Sequence, residues 1–146
     1  MRYKELLEQA PSERPFFHVT TPRRVKLILQ TGIEPNHHRR WKGLHGNKLG
    51  ERGYIYLISD LTSAVRWAAT LQSEMGKDSP FDIVCVQNVD SSKLEPDPNP
   101  FGKLHYPGKW FQMRGTVGPE NIMRVLPLTP DLTQQVMNGG VVTMPV

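Results

Sequence analysis

The clearest hydrophobic pattern in the chain lies between Tyr54 and Ala69, where the sequence reads YIYLISDLTSAVRWAA. Its first part is an apolar run with two tyrosines that is too short for a helix, and it predicts a buried strand. In the second part, apolar residues recur at helical spacing from Val65 onward, which predicts an amphipathic helix. Ser59 and Asp60 stand immediately before this helix, and both residue types are suited to its N-cap.

The chain before this stretch predicts a strand, a helix and a long loop. Phe16 to Thr21 is rich in aromatic and β-branched residues, which favours a strand. Pro22, directly after a threonine that can serve as N-cap, predicts the start of a helix, and Gly32 predicts its end. The polar residues 36–53 predict a long loop. A short helix is also expected from Tyr3 to Gln9.

The second half of the chain predicts mainly strands. The expected elements are a turn at Gly76 to Pro80, a strand at Phe81 to Val89, an irregular connection from Asp90 to Pro107, strands at Lys109 to Val117 and Asn121 to Leu128, and a short helix between Thr129 and Gly139. Two or three helices combined with strands that concentrate late in the chain predict an α+β fold. With 146 residues, the chain is expected to form a single domain spanning residues 1–146.

Composition limits the expected compartment and partners. The one cysteine, Cys85, lies in the apolar run FDIVCV, so a buried thiol and a reducing compartment are expected. The first 15 residues are charged throughout, and no apolar run approaches the length of a membrane span. The sequence therefore predicts a cytoplasmic protein without a membrane partner.

The net charge of +4 and the isoelectric point of about 9.4 are mildly basic. Much of the positive charge falls in one stretch of the first half, at Arg23, Arg24, Lys26, Arg39, Arg40, Lys42, Lys48 and Arg52. Such a cluster suits nucleic acid or a phosphate-bearing cofactor. It equally suits a solvated loop that keeps the protein in solution.

Three histidines in the polar loop, His37, His38 and His45, are the candidates for a metal site. No cysteine accompanies them, no H-x-x-x-H pair occurs on a helix, and the flanking charge is positive. Because adjacent histidines rarely bind one ion together, no metal is expected. Cys85 has no base beside it in the sequence, so nucleophilic thiol chemistry is not expected either.

Three residues on separate predicted strands form the candidate site. They are His18 at the end of the first strand, Tyr56 or its neighbour Tyr54 in the next, and Gln112 in a late strand. Each has an ordinary interpretation when taken alone, as a core histidine, a packing tyrosine or a solvent-facing glutamine. The order of their sequence contexts along the chain gives them weight together.

These contexts resemble the ADP-ribosyltransferase superfamily, whose members carry a His, a Tyr and a Glu on three strands. The resemblance covers Phe16 to Val125, most of the chain. The segments that carry it are His18-Val19-Thr20 for a His-x-Thr/Ser motif, Gly32 to Pro35 for a Gly-hydrophobic-x-Pro helix exit, Tyr56 to Asp60 with Ala64 to Ala69 for the aromatic strand and helix, and Gly115 to Ile122 for the G-x-V/I-x-P-E-x-I motif. The resemblance implies a split β-sheet core and NAD as a substrate.

The resemblance also implies roles for individual residues. His18 would hydrogen-bond the adenosine-side ribose, with the Thr20 hydroxyl near it, and the backbone around Val19 would meet the nicotinamide carboxamide. Tyr56 would stack on the nicotinamide ring, with Tyr54 as the other candidate. The pyrophosphate would be bound by Arg23, Arg39 or Arg40. A basic loop containing Arg39, Arg40 and Trp41 would hold the acceptor, which can be DNA, RNA or protein.

The chain departs from the family pattern at Gln112, where a glutamate is expected. The glutamate of the family holds the nicotinamide ribose and stabilises the positive charge that develops as the glycosidic bond breaks. A neutral amide supplies only a dipole and hydrogen bonds in its place. Glu120, in the turn that follows, is a weaker substitute for this glutamate.

Two other functions fit the sequence. The RNA 2′-phosphotransferases are similar to the chain in the Tyr56 strand, the helix after it and the segment from Val89 to Leu94, and they need no catalytic glutamate. A non-catalytic module that binds NAD, ADP-ribose or nucleic acid is the other alternative, motivated by Gln112. The leading hypothesis is NAD-dependent transfer of ADP-ribose to a macromolecule, with His18, Tyr56 and Gln112 as catalytic residues.

Overall fold

A computed structural model describes residues 14–35, 53–97 and 109–144, together with the backbone of 41–44 and 47–49. The strands are β1 (Phe16–Thr20), β2 (Trp41–Leu44), β3 (Asn47–Leu49), β4 (Ile55–Ile58), β5 (Asp82–Val86), β6 (Glu95–Pro96), β7 (Trp110–Met113) and β8 (Ile122–Pro127). The α-helices are α1 (Pro22–Thr31), α2 (Leu61–Met75) and α3 (Pro130–Met137), and two 3-10 turns occupy Ser91–Lys93 and Pro119–Asn121.

Six strands form one sheet in the order β6-β7-β4-β1-β5-β8, and every neighbouring pair is antiparallel. The remaining two, β2 and β3, pair with each other. The predicted α+β class is therefore confirmed. One seam of the sheet is weak, because β1 and β4 pair only at Phe17 and Ile58, whereas β1 pairs with β5 along its full length.

Each face of the sheet carries a hydrophobic core. The core on the face covered by α2 and α3 will be called the α2-side core, and it includes Phe17, Ile58, Ala64, Val65, Trp67, Leu71, Cys85, Trp110 and Val136. The core on the opposite face will be called the α1-side core, and it includes Phe16, Val25, Ile28, Ile33, Ile55, Leu57, Val84 and Met113. Strand β5, which lies between β1 and β8, contributes to both cores and is buried at every position, as expected for a strand covered on two faces.

The helices begin and end where local chemistry predicts. Pro22 is the first residue of α1, and Gly32 ends it with φ of +84°. Asp60 is the N-cap of α2, and its carboxylate accepts hydrogen bonds from the Ser63 amide at 2.9 Å and the Ser63 hydroxyl at 2.6 Å. The Asp60 cap satisfies a backbone group that a helix end leaves without a partner, whereas Thr21, at the N-cap of α1, makes no capping hydrogen bond with its side chain.

Gly32 also brings the first half of the chain against the second. The Ile33 amide donates to the Val117 carbonyl at 2.8 Å, and the Val117 amide donates to the Ile33 carbonyl at 3.0 Å. A side chain at position 32 would collide with the Val117 carbonyl oxygen, so only glycine fits this approach. The helix-exit motif and the G-x-V-x-P-E-x-I motif therefore contact each other directly.

Several predicted boundaries were wrong. The predicted loop over 36–53 contains two strands, β2 and β3, which pair antiparallel with each other. The strand expected to end at Val117 ends at Met113, because Gly115 turns the chain with φ of +103°. The predicted irregular connection from Asp90 contains a 3-10 turn and strand β6. The predicted helix from Tyr3 to Gln9 lies outside the described residues.

Candidate active site

The three candidate residues lie on three adjacent strands of the sheet. His18 is on β1, Tyr56 on β4 and Gln112 on β7, and β4 lies between the other two. Tyr56 and Gln112 are direct cross-strand partners. Opposed residues of this kind have Cβ atoms about 5 Å apart, so their side chains are neighbours on one face.

A glutamate not singled out in the sequence completes this row. Glu95 on β6 is the cross-strand partner of Gln112 on its other side. The Gln112 side-chain nitrogen Nε2 donates to Glu95 Oε1 at 2.8 Å. Because a carboxylate accepts and does not donate, this bond fixes which end of the amide is nitrogen. Glu95, Gln112 and Tyr56 thus form a continuous row across three strands.

The other end of the Gln112 amide is buried without a partner. The residue is only 5% exposed, and its Oε1 has no hydrogen-bond partner among the described residues. A buried carbonyl oxygen in this state costs about 1–3 kcal/mol. Such a group is an acceptor that a hydroxyl or amide of a ligand can satisfy.

Strand alternation places this row on the α2 side of the sheet. Tyr56 alternates with Leu57 of the α1-side core and so shares its face with Ile58. Gln112 shares its face with Trp110, which packs edge-to-face on Trp67 of α2 with ring centroids 4.7 Å apart. The polar row therefore lies next to the aromatic contact under α2.

His18 approaches this row from the seam between β1 and β4. Its cross-strand partner in β5 is Val84, so alternation places the His18 side chain on the α1 side. Its Nδ1 nevertheless lies 3.0 Å from the Tyr56 carbonyl oxygen. His18 and Tyr56 thus meet through a side chain and a backbone group, at the point where the two strands part.

The His18 ring is in its neutral form near pH 7. Burial lowers the pKa of His18 first of all, the hydrogen bond to the Tyr56 backbone opposes this, and the positive charge of Arg24 lowers the pKa further. The Tyr56 carbonyl can only accept, so Nδ1 carries the proton. Nε2 is then the unprotonated nitrogen and can accept a hydrogen bond.

Tyr54 is engaged differently from Tyr56. Arg114 donates from its guanidinium to the Tyr54 hydroxyl at 3.0 Å, and its guanidinium carbon lies 4.6 Å from the centre of the Tyr54 ring. This contact combines a hydrogen bond with a cation–π interaction. Tyr54 therefore already carries a stacked partner on its ring, and Tyr56 is the tyrosine placed opposite Gln112.

The remaining predicted cofactor residues surround the start of α1. Thr20 is 2% exposed, Val19 is half-buried and packs against the α2-side core, and Arg23 is exposed in the first turn of the helix. Arg24 follows, and burial and the charge of Arg23 lower its pKa. The first turn carries no acidic residue, so the helix dipole and two arginines add positive potential close to His18.

The predicted acceptor residues lie largely outside the described part of the chain. Arg39 and Arg40 lie outside the described residues, and Trp41 is the first residue of β2, where only the backbone is described. The three loop histidines proposed as metal candidates, His37, His38 and His45, also lie outside. Within the described ranges, no group of three His, Cys, Asp or Glu side chains could hold a metal ion.

Cys85 is inaccessible in the middle of β5. It is fully buried, and burial raises its pKa to about 11, an effect that the charge of Arg124 only partly offsets. Its sulfur lies 3.9 Å from the Met144 sulfur. A buried, protonated thiol cannot act as a nucleophile.

Sequence reasoning missed Glu95, Arg114 and the contribution of Arg24 to the site. Glu95 and Gln112 are 17 residues apart, and β6 is only two residues long, so no periodic pattern marks their pairing. Arg114 follows Gln112 by two positions and Tyr54 precedes Tyr56 by two. Tyr54 and Arg114 are therefore equally far from the cross-strand pair Tyr56–Gln112. Because antiparallel strands place such residues opposite each other, this equal spacing is the sequence feature that indicates their contact.

Comparison with known protein families and with curated proteins does not identify the chain. The chain matches no model of a known protein family, and it matches no curated protein. Among the helices of the described residues, none has the length and apolar character needed to cross a membrane.

Proposed function

We propose that this protein transfers ADP-ribose from NAD to a macromolecular acceptor and releases nicotinamide. The observation that carries the proposal is the buried Gln112 amide, whose oxygen lacks a partner among the described residues and lies opposite Tyr56. A buried acceptor without a partner needs an explanation, and a ligand that supplies the missing hydrogen bond provides one. The order of sequence motifs from His18 to Ile122, similar to that of ADP-ribosyltransferases, supports NAD as that ligand.

The reaction makes modest demands on acid–base chemistry. The bond between the nicotinamide nitrogen and the ribose C1′ breaks, and its electron pair neutralises the pyridinium, so nicotinamide leaves uncharged. The ribose becomes oxocarbenium-like, a nucleophile of the acceptor bonds to C1′, and that nucleophile loses its proton to water. The protein must therefore hold the dinucleotide in position and stabilise a developing positive charge.

The described residues suit these two tasks. The nicotinamide would lie on the Tyr56 ring on the α2 side of the sheet. His18, whose side chain lies on the α1 side, would support this site through its hydrogen bond to the Tyr56 carbonyl. Gln112 Oε1 would accept a hydrogen bond from a hydroxyl of the nicotinamide ribose. The carboxamide would meet the backbone at Val19.

The pyrophosphate would lie at the start of α1. Arg23 and Arg24 are the second and third residues of this helix, directly after the strand that carries His18. Arginine presents several donors in a planar arrangement that matches phosphate oxygens. The dipole of α1 adds to the same attraction.

Release of nicotinamide from NAD is the direct test. The assay is run with NAD alone and then with single-stranded DNA, RNA or protein added as acceptor. We expect release, and Gln112→Ala should reduce its rate by about 10- to 100-fold. Gln134→Ala is the matched control, because Gln134 is an exposed glutamine on α3, and it should have no effect.

The alternatives give different results in the same experiment. Binding of NAD without release under any condition would replace transfer with a non-catalytic binding module. Conversion of 2′-phosphorylated RNA, but not of unmodified RNA, would assign the phosphotransferase reaction. If His18→Ala binds NAD as tightly as the parent, the assignment of His18 to the site is wrong.

A further inference from the structure

The pairing of Gln112 with Glu95 suggests where the site obtains its negative charge. Under the proposed function, Gln112 occupies the position at which a carboxylate would stabilise an oxocarbenium-like ribose. A neutral amide in that position offers a dipole but no charge. The structure places a carboxylate next to this amide, since Gln112 Nε2 donates a hydrogen bond to Glu95 Oε1 at 2.8 Å.

We propose that Glu95 is the carboxylate of this site and acts through the Gln112 side chain as a positioning residue. The inference rests on the proposed function and deepens it. The evidence is a buried amide that is bonded at one end to Glu95 and left without a described partner at the other.

The bond to Glu95 fixes the orientation of the amide. Because the amide is planar, its oxygen points away from the group that holds its nitrogen, and Glu95 holds that nitrogen from the β6 side. Oε1 is thereby held on the side away from β6, the direction in which β4 and Tyr56 lie. Without Glu95 the amide could rotate and present its NH₂ group, which would repel a developing positive charge.

The bond also increases the negative charge on the amide oxygen. A hydrogen bond to a carboxylate is stronger than one between neutral groups, and it polarises the amide in the direction of more negative oxygen. The charge of Glu95 itself attracts the oxocarbenium-like ribose across one side chain. Both effects grow as positive charge develops, so Glu95 should affect the chemical step more than NAD binding.

Glu95→Gln is the variant that separates charge from hydrogen bonding. Its side-chain oxygen can still accept from Gln112 Nε2, but its charge is gone. We expect kcat for nicotinamide release to fall at least about tenfold, while Kd for NAD stays within about twofold. Glu95→Asp keeps the charge and should recover part of the lost rate.

A double variant that exchanges the side chains of Glu95 and Gln112 tests the role of the carboxylate independently. Glu95→Gln combined with Gln112→Glu keeps one amide and one carboxylate in contact, and it should restore kcat to at least the parent value. Gln112→Glu alone places two carboxylates together and should fall below the double variant. Glu74→Gln is the control, because Glu74 is an exposed glutamate near the end of α2 with no role in the proposed site, and it should leave kcat unchanged.

Failure of the inference and failure of the proposed function look different. If the parent releases nicotinamide and Glu95→Gln does so equally fast, or if Glu74→Gln is equally impaired, Glu95 has no such role while the proposed function stands. If the parent binds NAD but releases no nicotinamide, both are overturned. A loss of kcat in Glu95→Gln that the double variant reverses supports both.

Discussion

At the scale of single residues, Gly32 is the position where backbone geometry is most restrictive. Its φ of +84° is unfavourable for any residue with a Cβ, and an added Cβ would collide with the Val117 carbonyl. We expect Gly32→Ala to lower the free energy of unfolding by at least ~2 kcal/mol, because strain and collision add. Urea denaturation followed by circular dichroism measures this change.

Gly115→Ala is the control for that experiment. Gly115 also has a positive φ, +103°, but an added Cβ would meet nothing within 4 Å. It should cost only ~1 kcal/mol from backbone strain. Equal losses in the two variants would show that the contact between Gly32 and Val117 contributes nothing.

His18 gives a prediction about pH at the same scale. Burial and the charge of Arg24 lower its pKa below the ordinary value of 6.5, so the ring stays neutral in the folded protein while it protonates in the unfolded chain. The stability that follows is fully present above pH 6.5 and is lost as the pH falls through the folded pKa. An NMR titration of the ring should give a value below 6.5.

Arg24→Gln should raise the pKa of His18, since it removes a nearby positive charge. Lys26→Gln removes the same charge from an exposed position on α1 and should leave the pKa of His18 unchanged. A titration at or above 6.5 in the parent would contradict the prediction, because burial and Arg24 would then not outweigh the hydrogen bond to Tyr56.

At the scale of elements, the N-cap of α2 is the clearest local determinant. Asp60 bonds both the amide and the hydroxyl of Ser63. Asp60→Ala should lower the free energy of unfolding by ~1 kcal/mol, as measured by urea denaturation. Asp78→Ala, in the exposed turn after α2, is the control and should change it by less than ~0.5 kcal/mol.

The contribution of Asp60 should also depend on pH. Burial alone would raise the pKa of Asp60, but the hydrogen bonds from Ser63 and the charge of Lys109 outweigh it and lower the pKa. The stabilisation is therefore present above the ordinary carboxyl pKa and disappears on further acidification. A difference between parent and Asp60→Ala that stays constant down to pH 2 would contradict this.

The elements that could be predicted from sequence are those with local signals. Helix α1 was found because Pro22 and Gly32 mark its ends, and α2 because Asp60 precedes an apolar stripe. Strand β6 was missed because two residues carry no periodic pattern, and its existence depends on pairing with β7. Local chemistry thus predicts helix ends well, whereas short strands depend on partners distant in sequence.

The same distinction applies to the candidate site. His18, Tyr56 and Gln112 could be selected from their motif contexts, and the structure places them on adjacent strands. The burial of Gln112 could not be foreseen, since a glutamine on a strand is usually exposed. Its contact with Glu95 depends on the register of two strands, which a single sequence does not specify.

At the scale of the whole molecule, the sheet joins segments that are distant in the sequence. Strand β5 pairs with β1 from the first half of the chain and with β8 from the second. The Ile33–Val117 bridge connects the same two halves at another point. Opening β5 to solvent therefore requires both cores to separate, which predicts that β5 becomes accessible only on global unfolding.

Cys85 can report this opening directly, because it is the single cysteine and lies fully buried in β5. Its raised pKa of about 11 further suppresses reaction with a thiol reagent while the protein is folded. We expect labelling by such a reagent at pH 7.5 to be slow in buffer and to accelerate with urea. If the protein recloses faster than the exposed thiol reacts, the free energy of opening calculated from labelling rates should equal the free energy of unfolding measured by circular dichroism.

Cys85→Ala, which has no thiol to label, controls for side reactions. A labelling free energy well below the global value would mean that β5 opens by a local route, and that the two cores do not unfold as one unit.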